Sequence, residues 1–157
     1  MTYTLNKFAE ECHDALKADP GPAGREKVLD CVRKALKDEA FIKDYLPDNA
    51  DKERNIIFED PDLGFCICAH VYKGAKKGFP HDHGSTWAIY GQAVGETEMT
   101  ERKEVSQAHD NGPAKVKMEK SYHVKPGDGH VYPEGAIHAP IGEGASKLLR
   151  LARVHAY

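Results

Sequence analysis

Apolar residues at the start of the chain recur at helical spacing. In residues 4–17, and again in residues 23–46, apolar side chains fall three or four positions apart, which predicts two or three amphipathic helices. The segment DPGPAG interrupts the pattern between them. Pro22 in this segment suits the first turn of a helix.

From about Asn55 the pattern changes to short runs rich in β-branched and aromatic residues, separated by Gly, Pro, Asn and Asp. The predicted strands are NIIFE, FCICAHVY, TWAIYGQAV, TEMTERKE, KVKMEKSYHV, GHVY and KLLRLARVHAY. Strands at this spacing are typical of an antiparallel sandwich or barrel. We expect a mainly β fold in which the N-terminal helices pack on the barrel.

The length of 157 residues is enough for one hydrophobic core. We therefore expect residues 1–157 to form a single domain, with a helical cap over residues 1–47 and a β-barrel over residues 54–157. The change in pattern near residues 47–54 marks the join.

Charge and cysteine usage exclude several classes of partner. The net charge of −3 comes from interspersed acidic and basic residues, so the sequence predicts no binding to nucleic acid or to a membrane. It contains no apolar stretch of about 20 residues and no leader pattern. The four cysteines form no C-x-x-C pair, and we expect them to be reduced thiols in a cytoplasmic protein.

Histidines form the main candidate for chemistry. His81 and His83 are two residues apart in PHDHGS, so on an extended chain their side chains point the same way and can bind one ion. Further on, GDGHVYPEGAIH has turn-forming glycine and proline on both sides of a short strand, and His138 follows at the start of the next strand.

Together these segments resemble the two motifs of the cupin superfamily, whose members fold as a double-stranded β-helix, or jelly-roll barrel. In the first cupin motif the two histidines are followed by four residues, an acid, six residues and a glycine. Gly95 stands at the glycine position of this chain, but Ala88 stands where the acid is expected. The resemblance therefore implies a metal held by three imidazoles, those of His81, His83 and His138.

Three neutral ligands leave the full charge of a divalent ion for a substrate to balance, so an anionic substrate is expected. Imidazole suits several metals. Fe(II) is the metal that the resemblance favours, and Ni, Zn, Mn and Cu remain open.

The chain resembles more narrowly the cysteine dioxygenase type of cupin, which has a three-histidine Fe(II) site. An Arg-Asn pair precedes the histidines in that family, and here Arg54 lies about 27 residues before His81. The resemblance implies that Arg54 binds the carboxylate of a substrate. It also implies that His155 and Tyr157 form a catalytic relay that orients the tyrosine hydroxyl at the iron.

The sequence departs from that family at three positions. Arg153 stands where the relay has serine, which puts the relay in doubt. Ala88 replaces the cysteine that some members crosslink to the tyrosine, so no such crosslink can form. Gly142 stands where the second cupin motif can end in asparagine.

The resemblance implies a thiol dioxygenase that adds O2 to the sulfur of a small thiol carboxylate and gives a sulfinate. A homodimer is open, because cupins often pair. Trp87 and Tyr90 are candidates for lining the pocket, although an aromatic residue on a strand is more often part of the core.

Two alternatives remain. One is a three-histidine cupin of other chemistry, such as an isomerase, a hydrolase or another dioxygenase. The other is a cupin that binds a small ligand without catalysis.

Other candidate ligands are interpreted as structural. We expect Cys66 and Cys68 to be buried in the core, and Glu96 and Glu98 to be solvated strand positions. The remaining histidines are expected mostly at the surface or near the metal ligands: His70, His109, His123, His130 and His155.

Overall fold

The computed structural model of the chain describes residues 3–77, 86–106, 115–142 and 144–153, with only the backbone for residues 102–106, 115–119 and 153. Three helices come first: α1 (Leu5–Ala18), α2 (Pro22–Lys37) and α3 (Glu39–Tyr45). None of the helices in these ranges is long and apolar enough to cross a membrane.

Local capping explains the bounds of the helices. The Thr4 side chain accepts a hydrogen bond from the backbone nitrogen of Lys7 at 3.1 Å and caps α1. Pro22 occupies the first turn of α2, as predicted. Asp38 divides the apolar pattern of residues 23–46 into two helices, because its backbone is extended and its carboxylate accepts from the nitrogen of Phe41 at 3.1 Å.

Short strands make up most of the remaining described chain. They are β1 (Arg54–Glu59), β2 (Phe65–Tyr72), β3 (Lys76–Lys77), β4 (Ala88–Val94), β5 (Thr97–Ser106), β6 (Lys115–Val124), β7 (Gly129–Tyr132), β8 (Ile137–Gly142) and β9 (Ser146–Arg153). The runs predicted for β2, β6 and β7 have the observed bounds. The two-residue strand β3 was not predicted, and β8 begins one residue before His138.

The strands form two antiparallel sheets. The first sheet has the order β1-β2-β9-β4-β7, and the second has the order β3-β8-β5-β6. Successive strands belong mostly to different sheets, so the chain passes repeatedly from one sheet to the other. This arrangement is a double-stranded β-helix, so the predicted fold class is confirmed.

The two faces of the first sheet have different neighbours. Its outer face packs against the helices, and one buried cluster joins Ile67, Ile89 and Leu149 to the apolar residues of the helices. Its inner face is directed at the second sheet, where the rings of Tyr90 and Tyr132 contact the imidazole of His138. Alternation along the strands therefore separates a structural core from the interior of the barrel.

Helix α2 lies directly on the backbone of the first sheet. Gly91 of β4 and Gly129 of β7 are paired across the two strands. A Cβ atom added at Gly91 would overlap the Cγ1 atom of Val32, and one added at Gly129 would lie 2.6 Å from the Cδ1 atom of Leu29. Two side chains of α2 therefore fill the space that these glycines leave.

Helix α1 is linked to the turn between β1 and β2 by a hydrogen bond. The Nδ1 atom of His13 lies 2.7 Å from a carboxylate oxygen of Asp60, which is almost fully buried. The other carboxylate oxygen of Asp60 accepts from the backbone nitrogens of Asp62 and Leu63 at 2.8 and 3.0 Å. One buried side chain thus fixes both the turn and the helix above it.

Candidate functional site

The imidazole of His138 lies inside the barrel. Its side chain is fully buried, with 0% of its surface exposed. The ring centroid lies 4.5 Å from that of Tyr132 and 5.7 Å from that of Tyr90, with an edge-on arrangement to Tyr90. Gly135, with a φ of 76°, makes the turn that leads from β7 into β8 and brings His138 to the inner face.

The other proposed metal ligands and the catalytic pair fall outside the described residues. These are His81 and His83, which precede β4, and His155 and Tyr157, which follow β9. Within the described ranges no group of three or more His, Cys, Asp or Glu side chains could hold a metal ion. The three-histidine site therefore stays a prediction in which only His138 has a described position.

Ala88, at the position where the cupin motif has an acid, lies on the inner face of the first sheet. It is fully buried and pairs with Tyr132 on one side and Ala152 on the other. Tyr132 also contacts the ring of His138. In place of the acid there is therefore a methyl group beside Tyr132, the ring of which contacts the candidate metal ligand.

Glu96 and Glu98, which could have served as late acid ligands, make surface interactions. Glu96 lies 3.2 Å from the Nδ1 atom of His123, and both side chains are about half exposed. Glu98 accepts a hydrogen bond from the hydroxyl of Ser121 at 3.0 Å. These contacts agree with solvated strand positions.

Arg54, the proposed carboxylate-binding residue, begins β1 and is exposed. Its Nε atom donates to the hydroxyl of Tyr72 at 3.3 Å. This hydrogen bond raises the pKa of Arg54 above its usual value. Arg54 pairs across the strands with His70, so its side chain starts from the inner face of the first sheet.

His70, one of the histidines expected at the surface or near the metal ligands, is buried on the inner face, with 4% of its surface exposed. The Nδ1 atom lies 3.1 Å from the Tyr72 hydroxyl, while the buried Nε2 atom has no hydrogen-bond partner among the described residues. Burial lowers the pKa of this imidazole and favours its neutral form. The sequence indicates this position, because Cys66, Cys68 and His70 alternate along the run FCICAHVY and therefore share one face of β2.

Cys66 and Cys68 are buried as predicted, on the inner face of β2. Their sulfur atoms lie 3.8 Å apart. The hydrogen bond from Cys66 is the main cause that lowers the pKa of Cys68, and Arg150 also contributes. The pKa of Cys66 is raised in return. The pair therefore loses its first proton, from Cys68, more easily than its second.

Arg150 is a residue that the sequence analysis missed. It pairs with Cys68 on one side and Tyr90 on the other, which places the three residues in one row across β2, β9 and β4. Its Nη2 atom lies 3.7 Å from the sulfur of Cys68, and it forms a hydrogen bond with the Tyr90 hydroxyl that lowers the pKa of that group against the larger effect of burial. The available signal was a single charge at an inner position of the apolar run KLLRLAR.

The two aromatic candidates for the pocket separate to opposite faces. Trp87 belongs to the core between the helices and the sheet, and the guanidinium carbon of Arg25 lies 5.7 Å from its ring centroid. Tyr90 lies on the inner face beside His138 and Arg150. Of the two, only Tyr90 is placed to meet a ligand inside the barrel.

Comparison with known proteins bears on the fold. No family model and no curated protein sequence matches the chain. A Bacillus halodurans protein of known structure is 11% identical, with 67% of this chain and 72% of that protein covered and a TM-score of 0.51.

Two further solved structures are similar to a slightly lower degree. KdgF from Halomonas sp. is 19% identical, with 65% of this chain and 77% of that chain covered and a TM-score of 0.49. A cupin-2 domain protein from Shewanella frigidimarina is 14% identical, with 71% and 89% covered and a TM-score of 0.49. Cupin superfamily proteins are thus among its structural neighbours, and at these identities the similarity concerns the fold alone.

Proposed function

We propose that this chain is a metal-dependent dioxygenase of small thiol carboxylates, similar to the cysteine dioxygenase type of cupin. The observation that carries the proposal is the position of His138, whose imidazole is fully buried inside the barrel between two tyrosine rings. The His-x-His pair of His81 and His83 in the sequence supplies the other two imidazoles. Three such ligands leave coordination positions open, as a catalytic metal requires.

The residues of this chain fit such a metal. His81, His83 and His138 would hold the ion, and Ala88 offers a methyl group in place of a carboxylate, so the balancing charge would come from the substrate. We propose Fe(II), while imidazole also suits Ni, Zn and Cu, and Mn stays open. Fe(II), when bound, supplies the redox chemistry through which O2 reacts with a thiolate.

The side chains of the chain would bind and orient the substrate. Arg54 would hold the carboxylate, because a guanidinium offers two parallel hydrogen bonds to a carboxylate. His155 and Tyr157 would donate a hydrogen bond at the reacting oxygen. In the overall reaction a thiolate and O2 give a sulfinate, with both oxygen atoms bonded to sulfur. Four electrons pass from sulfur to oxygen, so no further reductant is needed.

We further propose that residues 1–157 act as one domain in the cytoplasm, alone or as a homodimer. The partners would be the small thiol carboxylate and O2, without nucleic acid or membrane. The four cysteines are free thiols in the structure, which agrees with a reducing compartment.

The substitution His138→Ala tests the proposal. Because it removes one of three metal ligands, we expect the variant to lose both stoichiometric iron and sulfinate formation. Iron content, oxygen uptake and sulfinate are measured after anaerobic reconstitution with Fe(II), with cysteine, 3-mercaptopropionate and mercaptosuccinate as substrates. His123→Ala is the matched control, since His123 is exposed and pairs with Glu96 at the surface; it should keep iron and activity.

Two results would reject thiol oxidation. A wild-type protein that holds iron but consumes no O2 with these thiols would favour a three-histidine cupin of other chemistry. A wild-type protein that retains no metal would favour a cupin that binds a ligand without catalysis.

A further inference from the structure

Two arginines lie on the inner face of the first sheet. Arg54 pairs with His70 across β1 and β2, and Arg150 pairs with Cys68 across β2 and β9. Because His70 and Cys68 are two residues apart on β2, all four side chains start from the same face. His70 therefore lies on the strand between the two strands that carry the arginines.

We propose that Arg54, His70 and Arg150 form a subsite that binds a dianionic acid end of the ligand, such as two neighbouring carboxylates. The proposal deepens the function proposed above, because it names the substrate class, and it rests on that function for the location of the ligand inside the barrel. Arg150 would be a specificity-determining residue, since it supplies the second positive charge.

A chain of hydrogen bonds prepares His70 for this role. Arg54 can only donate, so the Tyr72 oxygen accepts from its Nε atom at 3.3 Å. The Tyr72 hydroxyl can then donate its own hydrogen to the Nδ1 atom of His70 at 3.1 Å. In that arrangement the neutral imidazole carries its hydrogen on Nε2, which is buried and makes no close hydrogen bond to a described residue, while the Cys68 sulfur lies near enough to raise the pKa of the ring against the effect of burial. The Nε2–H group is therefore a donor that a ligand oxygen would satisfy.

Two separate positive groups lie on this face. Arg150 lies close enough to Arg54 to oppose the rise in the pKa of Arg54 that Tyr72 causes. Both arginines also contribute to the lowered pKa of His70, after the larger effect of burial. The lowered pKa of Cys68 favours a thiolate beside Arg150, which offsets part of this positive charge. The preference for two carboxylates therefore rests on the placement of the arginines, because Arg54 on β1 and Arg150 on β9 offer one guanidinium to each carboxylate.

Calorimetric titration of the full-length, metal-free protein tests the proposal without catalysis. The probes are succinate and mercaptosuccinate, each with two carboxylates, and propionate and 3-mercaptopropionate, each with one. We expect the two diacids to bind about tenfold or more tightly than the matching monoacids. Equal affinity for diacids and monoacids in the wild-type protein would overturn the proposal.

Substitutions test which residues cause the preference for diacids. Arg150→Met should remove the preference for diacids, whereas Tyr72→Phe should weaken both classes because it releases His70. Arg33→Met is the matched control, because Arg33 is exposed on α2 and pairs with Asp30; it should leave all four affinities unchanged. A diacid preference that survives in Arg150→Met would contradict the role of Arg150.

If Arg150→Met fails to fold, Arg150→Lys decides the question. Lysine keeps the positive charge and loses the planar fork, so the diacid preference should fall severalfold, and an unchanged preference would overturn the assignment. The readout does not depend on thiol chemistry. A protein that prefers diacids but never forms sulfinate would retain the subsite and reject the thiol dioxygenase.

Discussion

Gly95 shows how a single position carries both a motif and a fold constraint. Its φ of 78° lies in the left-handed region, where a side chain is strained. A Cβ atom at Gly95 would also overlap the backbone oxygen of Ala145. Gly127 has a similar φ of 93°, but a Cβ atom there would meet no atom within 4 Å.

We predict that Gly95→Ala destabilises the protein more than Gly127→Ala. Both substitutions carry the backbone cost of about 1 to 2 kcal/mol, and only the first adds a clash with the backbone. Chemical denaturation of the two variants measures the difference in the free energy of unfolding. Equal losses in the free energy of unfolding would contradict this prediction, because they would show that the protein accommodates the added Cβ atom beside Ala145 without cost.

At single positions the sequence predicts motif residues better than contacts. The expected burial of Cys66 and Cys68 is confirmed, and the cupin motif singled out His138, which is fully buried. The sequence did not show which of Trp87 and Tyr90 faces the interior of the barrel, because that depends on the side of the sheet on which the helices pack. Arg150 was missed because no motif contains it, and its importance arises only from its neighbours on β2 and β4.

Among the elements, the turn between β1 and β2 has the clearest electrostatic control. Burial alone would raise the pKa of Asp60, but hydrogen bonds from Leu63, His13 and Asp62 outweigh it and hold the pKa below its usual value. A carboxyl group with a lowered pKa in the folded state stabilises that state above its unfolded pKa of about 3.9. This contribution is lost as the pH falls through the lower, folded pKa.

We predict that Asp60→Asn lowers the free energy of unfolding by about 1 to 3 kcal/mol at pH 7, because a buried charged hydrogen bond to His13 is lost. The loss should shrink as the pH falls below about 4, because the carboxyl is protonated first in the unfolded chain and, at the lower folded pKa, in the native state as well. Urea denaturation at several pH values measures both effects. Asp62→Asn is the control, since Asp62 is 57% exposed and should cost little; a loss of equal size at all pH values would contradict the explanation.

Most helices and strands were predictable because their apolar residues follow the period of the element. The exceptions are short or depend on capping. Lys76 and Lys77 form β3 only because they pair with Ile141 and Gly142 of β8, and two polar residues carry no pattern. The split between α2 and α3 depends on the extended backbone of Asp38, which the apolar period of residues 23–46 does not reveal.

In the whole molecule, the helices and the barrel meet closely at the glycine pair of β4 and β7. The spacing of the strands predicted a sandwich or barrel, and the resemblance to cupins predicted the double-stranded β-helix. This contact could not be predicted, because it depends on how α2 lies across the sheet. Val32 of α2 occupies the place of a missing side chain at Gly91. The stability of the helix layer and that of the barrel should therefore be coupled.

We predict that Gly91→Ala destabilises the protein by about 1 to 3 kcal/mol through overpacking against Val32. In the double variant with Val32→Ala, part of this loss should be recovered, with a coupling energy of about 0.5 to 3 kcal/mol. Thermal and urea unfolding of the four proteins in this cycle measure the coupling. Strictly additive losses, or separate transitions for helices and barrel, would contradict the close contact.

At the same glycine pair, only the backbone of β4 and β7 separates α2 from the interior of the barrel. Gly91 faces the helix, and the preceding residue, Tyr90, faces His138. Helix α2 is consequently a remote determinant of the ligand compartment. Changes in the volume of Val32 are expected to shift β4 and alter ligand preference from a position that no ligand touches, so the selection of variants with new specificity can begin in the helix.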